Sequence, residues 1–287
     1  MFLIKKFLFI KFFSVIIDNM KENKNQMKKD GKIKMVWKKI DKFFTDLLFP
    51  ENIKCMFCNR DIENFEERPY CDECAKKVSL NDGNRCIICS EPIGNEATVC
   101  DTCQKNKMFF KKAVTPFVYD GVVRSSILGY KDSNRRYMAK IFARFLKDEI
   151  VKAKFDVSVI TFVPMTKRKE RARSFNQSKL LAEELSNLLG VECIEIFEKN
   201  KDTKGQKYAN SKEREENMIG MYSIKSGVHF KRDWSVLIVD DILTTCATVN
   251  ACSKLIYKRV KNVYVAGIAR NKLRKTKIDE KRIEKKD

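Results

Sequence analysis

The chain has 287 residues, of which 34% are charged and 44% hydrophobic, and it carries a formal net charge of +21. This length is sufficient for one large or two modest domains with proper hydrophobic cores, so a dense disulfide framework is not needed for folding. A single histidine, His229, leaves no persuasive Cys–His or Ser–His pairing, which argues against nucleophilic hydrolysis as the function.

The positive charge is spread along the chain. Residues 1–39 hold eleven Lys and Arg against three acids, and residues 271–287 hold eight against four, which leaves a net charge of +9 for residues 40–270. A basic body favours a polyanionic partner such as nucleic acid or polyphosphate. A general enrichment in lysine is the alternative explanation, because the sequence shows no binding motif with interleaved aromatic residues.

Residues 1–34 are predicted to form a disordered or loosely amphipathic extension. The segment Met1–Ile17 is rich in Phe and Ile, but Lys11 interrupts it and no small-residue cleavage site follows, so it does not fit an export signal. A membrane-spanning helix needs about 20 apolar residues, and this stretch falls short. We therefore expect no stable membrane insertion. Four methionines are candidate translation starts: Met1, Met20, Met27 and Met35.

Residues 35–110 contain eight of the eleven cysteines, arranged as four Cys-x-x-Cys pairs. The pairs are Cys55/Cys58, Cys71/Cys74, Cys86/Cys89 and Cys100/Cys103. Two residues between thiolates allow both to bind one ion from a tight turn, and two such turns complete a tetrahedral Cys₄ site. The spacing therefore predicts two structural zinc ions, with either sequential or cross-braced pairing.

Two other uses of paired cysteines fit the sequence less well than zinc binding. Disulfide bonds require an oxidising compartment, for which the sequence offers no credible signal peptide. Redox Cys-x-x-Cys motifs lie beside a βαβ pattern, which is lacking around these four pairs. Three further cysteines stand outside the pattern, and we expect Cys193 and Cys252 to be ordinary strand and helix positions.

From Lys111 to residue 270 the sequence has the pattern of an α/β domain, and residues 271–287 form a basic tail. Strands are predicted over 114–119, 157–163, 236–239 and 263–269, and helices over 123–130, 137–151 and from about 180 to Gly190. The continuous apolar run at 236–239 is typical of a parallel strand buried on both faces.

A basic segment follows the predicted strand that ends at Val163. Its principal cations are Lys167, Arg168, Arg171 and Arg173. Because ligands of open α/β sheets bind at the carboxyl ends of strands, this segment is expected to hold a pyrophosphate or a nucleic-acid backbone. A solvated run of charge is the alternative.

The stretch at 236–248 carries the most specific chemical signal. Asp240 and Asp241 follow the apolar strand, and their carboxylates suit hydrogen-bond donors such as the vicinal hydroxyls of a sugar. Hydroxyl-bearing residues and the start of a helix come next, where backbone N–H groups favour a phosphate. Sugar and phosphate together indicate a ribose 5-phosphate. An ordinary capped helix after a strand is the alternative.

This stretch is similar to the phosphoribosyl-pyrophosphate motif of type I phosphoribosyltransferases, and it lacks the glycine patterns of dinucleotide and Walker loops. The similarity implies that phosphoribosyl pyrophosphate binds together with Mg²⁺, with Asp240 and Asp241 also serving catalysis. The implied binding residues are Asp240, Asp241, Thr244, Thr245, Cys246, Ala247 and Thr248. Cys246 stands where the motif has glycine.

The chain also resembles the ComF family of competence-associated proteins over roughly residues 37–270. The resemblance rests on Leu48–Pro50, the cysteine pairs, Val163-Pro164, Arg173–Gln177 and the segment Thr203–Asn217. It implies an α/β fold with a type I phosphoribosyltransferase-like parallel sheet flanked by helices, preceded by a small double zinc-ribbon module. Ser174 is a second position where the family has glycine.

The ComF resemblance implies a cytoplasmic role in the uptake of single-stranded DNA, in partnership with a helicase-like competence ATPase. Three functions follow as hypotheses. The first is a DNA-handling protein with a phosphoribosyl-pyrophosphate pocket, and the second is an active phosphoribosyltransferase that uses an unidentified base or amine. The third is a zinc-ribbon adaptor with a degenerate pocket.

Overall fold

The computed structural model describes residues 54–62, 68–94, 97–131, 135–200 and 220–271, which all fall within one compact unit. The predicted extension at 1–34, the basic tail beyond Asn271, and the family segments Leu48–Pro50 and Thr203–Asn217 lie outside these residues.

A parallel sheet forms the centre of this unit. The strands are β1 (Lys112–Val114), β2 (Phe117–Val118), β3 (Val159–Phe162), β4 (Glu192–Cys193), β5 (Phe197–Lys199), β6 (Tyr222–Ile224), β7 (Ser235–Leu243) and β8 (Asn262–Arg270). The main sheet has the order β1-β8-β7-β3-β4, β2 also pairs with β8, and every pairing in it is parallel. Strands β5 and β6 form a separate antiparallel pair. The predicted parallel strands are thus confirmed.

Two short helices lie in the cysteine-rich region, and the remaining described helices belong to the α/β domain. The helices are α1 (Asp72–Ala75), α2 (Asp101–Lys105), α3 (Gly121–Tyr130), α4 (Met138–Lys152), α5 (Lys167–Arg173), α6 (Gln177–Leu189) and α7 (Ala247–Ile256). Helix α6 ends at Gly190, whose φ of 69° is the left-handed conformation that favours glycine after a helix. None of the described helices has the length and apolarity needed for a transmembrane span.

The basic segment after β3 is helical rather than an open loop. Its residues are good helix formers, and Thr166 caps α5 by accepting a hydrogen bond from the Lys169 amide. The helix ends at Ser174 with a φ of 66°. The left-handed cap turns the chain towards α6, which follows three residues later.

Strand β7 is longer than the apolar run that predicted it. Pairing with β3 stops at Val239, but pairing with β8 continues to Leu243, opposite Arg270. Asp240 and Asp241 therefore lie within the strand, along the part of β7 that has lost its β3 neighbour. Gly267 lies opposite Asp240, and a Cβ there would come within 2.7 Å of the Leu243 side chain.

Two hydrophobic cores lie within the unit. One contains the apolar faces of α3, α4 and α6 together with Cys55, Met56 and Phe57. The other contains α7, the β5–β6 pair and the second set of paired cysteines, Cys86, Cys89, Cys100 and Cys103. Each half of the cysteine-rich region therefore shares a core with a different part of the α/β domain.

Candidate functional site

The paired cysteines form two tetrads, each built from sequential pairs. The first tetrad is Cys55, Cys58, Cys71 and Cys74, and the second tetrad is Cys86, Cys89, Cys100 and Cys103. Within each, all sulfur atoms lie within 4.8 Å of one another. Four thiolates bound to one zinc at about 2.3 Å place their sulfurs about 3.8 Å apart. The Sγ–Sγ distances of 3.7 Å for Cys58–Cys71 and 3.5 Å for Cys89–Cys100 fit this donor set.

The two tetrads differ in their surroundings. In the first, Cys58 is exposed and Cys71 is partly exposed, whereas no cysteine of the second is more than 9% exposed. The second tetrad packs in one core with Leu243, Cys246 and Val249, which belong to the end of β7 and the start of α7. Closed tetrads of this kind support structural zinc rather than an open catalytic position.

Arg270, the last residue of β8, connects the second tetrad to the loop that follows β7. Its side chain is completely buried and donates hydrogen bonds to Cys89 Sγ (3.4 Å) and to a Glu91 carboxylate oxygen (3.2 Å). The same guanidinium donates to the backbone oxygen of Leu243 (2.8 Å), where β7 ends. Cys246 is also hydrogen-bonded to Cys89. The second tetrad and Arg270 therefore help to fix the position of the loop after β7.

Asp240 and Asp241 are partly buried at the end of β7 and are oriented by short hydrogen bonds. Asp240 Oδ1 accepts from the Ser178 hydroxyl (3.0 Å) and from the Asp241 amide (2.9 Å). Asp241 Oδ1 accepts from the Ile242 amide (2.7 Å), and its Oδ2 forms an ion pair with Lys131 Nζ (2.9 Å). The two carboxylates are thus fixed beside one cation.

The surroundings of Asp240 change its pKa strongly. Burial, followed by the neighbouring charge of Asp241, raises the pKa of Asp240 from 3.8 to about 7. Hydrogen bonds from the Asp241 amide and Ser178, and the charge of Lys131, act in the opposite direction and limit the rise. Asp240 is therefore poised between its neutral and ionised forms near neutral pH.

The segment Arg173–Gln177 helps to position the groups that contact these carboxylates. Asn176 caps α6 through its side-chain oxygen and donates to the backbone oxygen of Val163 (3.1 Å), at the end of β3. The Tyr130 hydroxyl donates to the backbone oxygen of Gln177 (2.7 Å), which fixes the end of α3 and hence Lys131. Ser178 follows in the first turn of α6 and faces Asp240.

The threonine loop leads into α7 through a left-handed residue. Cys246 has a φ of 59° and precedes the first residue of the helix, and no side chain caps the helix from this position. Thr244 is exposed, Thr245 is partly exposed, and Thr248 is hydrogen-bonded to Tyr222 of β6. Ala247, whose amide lies 3.4 Å from the Thr245 hydroxyl, begins the helix.

The four predicted cations lie together on α5 at the same edge of the sheet. Lys167, Arg168, Arg171 and Arg173 are all exposed. Helix α5 begins shortly after β3, the neighbour of β7, so its charge lies on the side of the sheet where Asp240 and Asp241 end. The structure thus brings the predicted acidic, hydroxyl and basic groups to one edge.

Comparisons with known proteins agree with this architecture. A family model described as a double zinc ribbon domain matches residues 44–104. Competence protein F of Haemophilus influenzae is 27% identical over 229 residues, covering 76% of this chain and 97% of the relative. Competence protein ComFC of Streptococcus pneumoniae is 26% identical, covering 71% of this chain and 93% of the relative.

The chain is similar to competence proteins of the ComF family over most of its length. A further relative is the DNA utilization protein YhgH of Escherichia coli K12, 25% identical over 66% of this chain and 84% of the relative. These three relatives thus match between about two thirds and three quarters of the chain.

Solved phosphoribosyltransferases show a partial likeness. An adenine phosphoribosyltransferase from Thermoanaerobacter pseudethanolicus is 14% identical with a TM-score of 0.32, covering 51% of this chain and 84% of that one. A hypoxanthine phosphoribosyltransferase from Staphylococcus aureus is 13% identical with a TM-score of 0.30, covering 47% of this chain and 64% of that one. The predicted parallel sheet flanked by helices and the double zinc ribbon before it are confirmed.

Four contributors to the candidate site are not expected from the sequence: Ser178, Lys131, Tyr222 and Arg270. Ser178 directly follows a motif that was recognised, so its position beside the motif was the available signal. Lys131 and Arg270 each end an element, where side chains reach the edge of a sheet, but nothing local distinguished them from other basic residues.

Proposed function

We propose that the protein assists the uptake or processing of single-stranded DNA in natural transformation, and that it binds phosphoribosyl pyrophosphate with Mg²⁺. The observation that carries the pocket is the pairing of Asp240 and Asp241 at the end of β7, directly before the threonine loop and α7. The names of its relatives, two competence proteins and a DNA utilization protein, support the biological role.

The residues present fit such a ligand. Ionised Asp240 and Asp241 can accept hydrogen bonds from the two ribose hydroxyls, and amides at the start of α7 favour the 5-phosphate. Lys131 and the α5 cations supply positive charge for a pyrophosphate or a DNA backbone. Bound Mg²⁺ would neutralise pyrophosphate oxygens. These roles extend to Thr244, Thr245, Cys246, Ala247 and Thr248 as the phosphate loop.

Cys246 is the feature that weakens the loop. A side chain at a positive φ costs about 1–2 kcal/mol relative to the ordinary helical region, and the φ of Cys246 is 59°. The same cost applies to Ser174 at 66°. The contacts of Cys246 with the second tetrad offset part of this strain, so the loop keeps the shape that glycine would otherwise favour.

A second candidate function is phosphoribosyl transfer, and the environment of Asp240 favours it. A base or amine would attack C1 of the sugar as the bond to pyrophosphate breaks. Ionised Asp240 and Asp241 would offset the positive charge that develops on the ribose ring. Because its pKa is about 7, Asp240 would carry this charge increasingly as the pH rises through neutrality.

Cellular placement is part of the same proposal. A cytoplasmic protein with two structural zinc ions would act with a helicase-like competence ATPase on entering single strands. The confirmed double zinc ribbon and the basic net charge support this assignment.

Calorimetry with phosphoribosyl pyrophosphate and Mg²⁺ tests the pocket. We expect binding by the wild type and its loss in the double variant Asp240→Asn/Asp241→Asn, because neutral amides disturb both the ribose contacts and the Lys131 pair. Asp233→Asn is the matched control, since Asp233 is exposed before the opposite end of β7. A wild type that does not bind would leave the adaptor hypothesis.

Pyrophosphate release then separates transfer from simple binding. Wild-type protein that binds the ligand is incubated with candidate bases and amines, and free pyrophosphate is measured. Release that is lost in Asp240→Asn/Asp241→Asn identifies a transferase. Binding without release identifies a ligand or sensor site.

A further inference from the structure

The amino ends of β7 and β8 carry a second charged surface, opposite the edge that holds Asp240. We name it the basic aromatic surface, and it comprises two segments and one nearby pair of rings. The segments are residues 105–112, between α2 and β1, and residues 254–261, at the end of α7; the rings are Phe230 and Trp234. The two segments contain eight Lys and Arg and no acid.

Aromatic rings lie among these cations. Phe109 and Tyr257 contact each other with ring centroids 4.8 Å apart, and Phe230 and Trp234 form an edge contact at 6.2 Å. All four side chains are partly exposed, and Phe230, Trp234 and Tyr257 also pack against the core that contains α7. Because part of each ring is exposed to solvent, these side chains are accessible to a ligand.

Each ring pair is surrounded by positive charge. Lys107 and Lys254 lie 5.6 and 5.4 Å from the Phe109 ring centroid, and Lys258 lies 5.8 Å from that of Tyr257. Arg259 lies 5.6 Å from the Phe230 ring. The cations and rings are therefore interleaved in space, and they come from segments that are far apart in the sequence.

The surface is held rigid by one side chain of α7. Asn250 accepts a hydrogen bond from the Phe109 amide (2.7 Å) and donates to the backbone oxygen of Lys107 (3.0 Å). These two bonds fasten the segment after the second tetrad to the helix that carries Lys254 and Tyr257. A preformed surface loses less conformational entropy on binding than a flexible one.

We propose that the basic aromatic surface binds single-stranded DNA. Single strands are bound by cationic tracks that follow the phosphates and by aromatic rings on which bases stack, and both are present here. Asp156 and Asp233 lie outside the two segments, and Asp156 pairs with Lys261 (3.3 Å). This inference rests on the proposed function in DNA uptake and places the strand away from the sugar-phosphate pocket.

The rival location is helix α5, which has exposed cations but is flanked by different chemistry. Its charge adjoins the carboxylates of the pocket, where Lys131 already forms an ion pair. Arg136 lies 5.0 Å from the Phe175 ring, but that ring is only 5% exposed and cannot stack on a base. Helix α5 therefore offers phosphate contacts, and the ring described beside it is buried.

Fluorescence anisotropy of the full-length protein with a labelled oligo(dT) 20-mer tests the assignment. Lys254→Gln/Lys258→Gln should weaken binding and reduce the salt slope by about 1.4, because each phosphate contact to a single strand contributes about 0.7. Tyr257→Ala should weaken binding about fivefold or more through the loss of one stacked base. Zinc content and melting temperature check that each variant folds.

Matched variants make the result decisive. Lys76→Gln/Lys77→Gln removes two exposed lysines beside the first tetrad and should bind like the wild type. Lys167→Gln/Arg171→Gln removes the same charge from α5. Loss of binding in the α5 variant, with unchanged binding in Lys254→Gln/Lys258→Gln, overturns the inference while leaving DNA binding as a function.

Two outcomes concern the ligand itself. Binding of oligo(U) by the wild type without binding of oligo(dT) would overturn the choice of DNA in favour of RNA. Absence of binding to either strand would overturn both this inference and the DNA part of the proposed function, whereas the calorimetric test of the pocket stands independently.

Discussion

The two tetrads share a local design but occupy different environments. In each, an arginine donates to a zinc-site cysteine and to a glutamate: Arg60 contacts Cys58 and Glu73, and Arg270 contacts Cys89 and Glu91. The Arg60 side chain is 56% exposed, whereas that of Arg270 is 0% exposed. The same set of contacts thus lies at the surface for Arg60, and in the core, beside the loop that follows β7, for Arg270.

Removal of one zinc ligand from each tetrad should give the largest difference. Cys89→Ser is expected to unfold most of the domain, because a structural zinc contributes on the order of 10 kcal/mol, comparable with the whole stability of a domain. Cys58→Ser should lose one zinc but retain the main transition. Zinc analysis and urea unfolding followed by the fluorescence of Trp234 measure both effects.

Equal shifts of the main transition in these two variants would contradict the distinction between the tetrads. Cys193→Ser is the control, since Cys193 lies on β4 outside both tetrads.

Removal of the arginines should sharpen the same contrast with a smaller effect. Arg270→Met is expected to destabilise the protein by about 3–5 kcal/mol, because it leaves the buried carboxylate of Glu91 without its cationic partner. Arg60→Met should cost far less, as for other exposed ion pairs. Urea unfolding at one pH measures both, and similar losses would show that burial does not decide the effect.

The pH dependence of stability should have opposite signs at Asp240 and Glu73. The Arg60 hydrogen bond lowers the pKa of Glu73, so its contribution is lost as the pH falls. The pKa of Asp240 is raised to about 7, so the folded state retains a proton that the unfolded state releases near pH 4. Stability from Asp240 therefore falls between about pH 4 and 7, by no more than about 4 kcal/mol.

Asp240→Asn should remove this loss. The variant is expected to gain stability relative to the wild type at pH 8 and to gain little at pH 4, as measured by urea unfolding at both values. Glu73→Gln serves as the comparison and should lose more at pH 8 than at pH 4. An Asp240→Asn difference that does not change with pH would refute the raised pKa.

The two left-handed positions offer the smallest and most finely balanced test. Ser174→Gly should stabilise the protein by about 0.5–1 kcal/mol, since relief of the positive φ exceeds the added freedom of the unfolded chain. Cys246→Gly should gain nothing, because it also removes a buried side chain that packs with the second tetrad. Thermal unfolding distinguishes them, and equal stabilisation would mean that the Cys246 contact contributes nothing.

Local patterns were sufficient for the elements and the cysteine tetrads. The apolar run at 236–239 predicted β7, and the cysteine spacing predicted two clusters, because both depend on neighbours in the chain. Pairing of the tetrads was left open, since loop length alone does not exclude a cross-braced arrangement. Helix α5 was missed because its charged residues show no apolar period.

The candidate site was predictable only where its residues are contiguous. Asp240, Asp241 and the threonines lie in one run, but Ser178 reaches Asp240 across 62 positions and Arg270 reaches Cys89 across 181. Such contacts depend on how α6 and β8 are placed by the sheet. The basic aromatic surface likewise exists only after folding brings Phe109 against Tyr257.

Helix α7 begins at the loop after β7 and ends at Ile256, directly before Tyr257, so one element joins the two proposed sites. Its ten residues rise about 15 Å, which is longer than a single nucleotide, and a strand on the basic aromatic surface leaves the sugar-phosphate pocket open. A small ligand and a DNA strand could then be bound at the same time. If occupancy of one site shifts this helix, linkage requires that each ligand change the affinity of the other by the same factor.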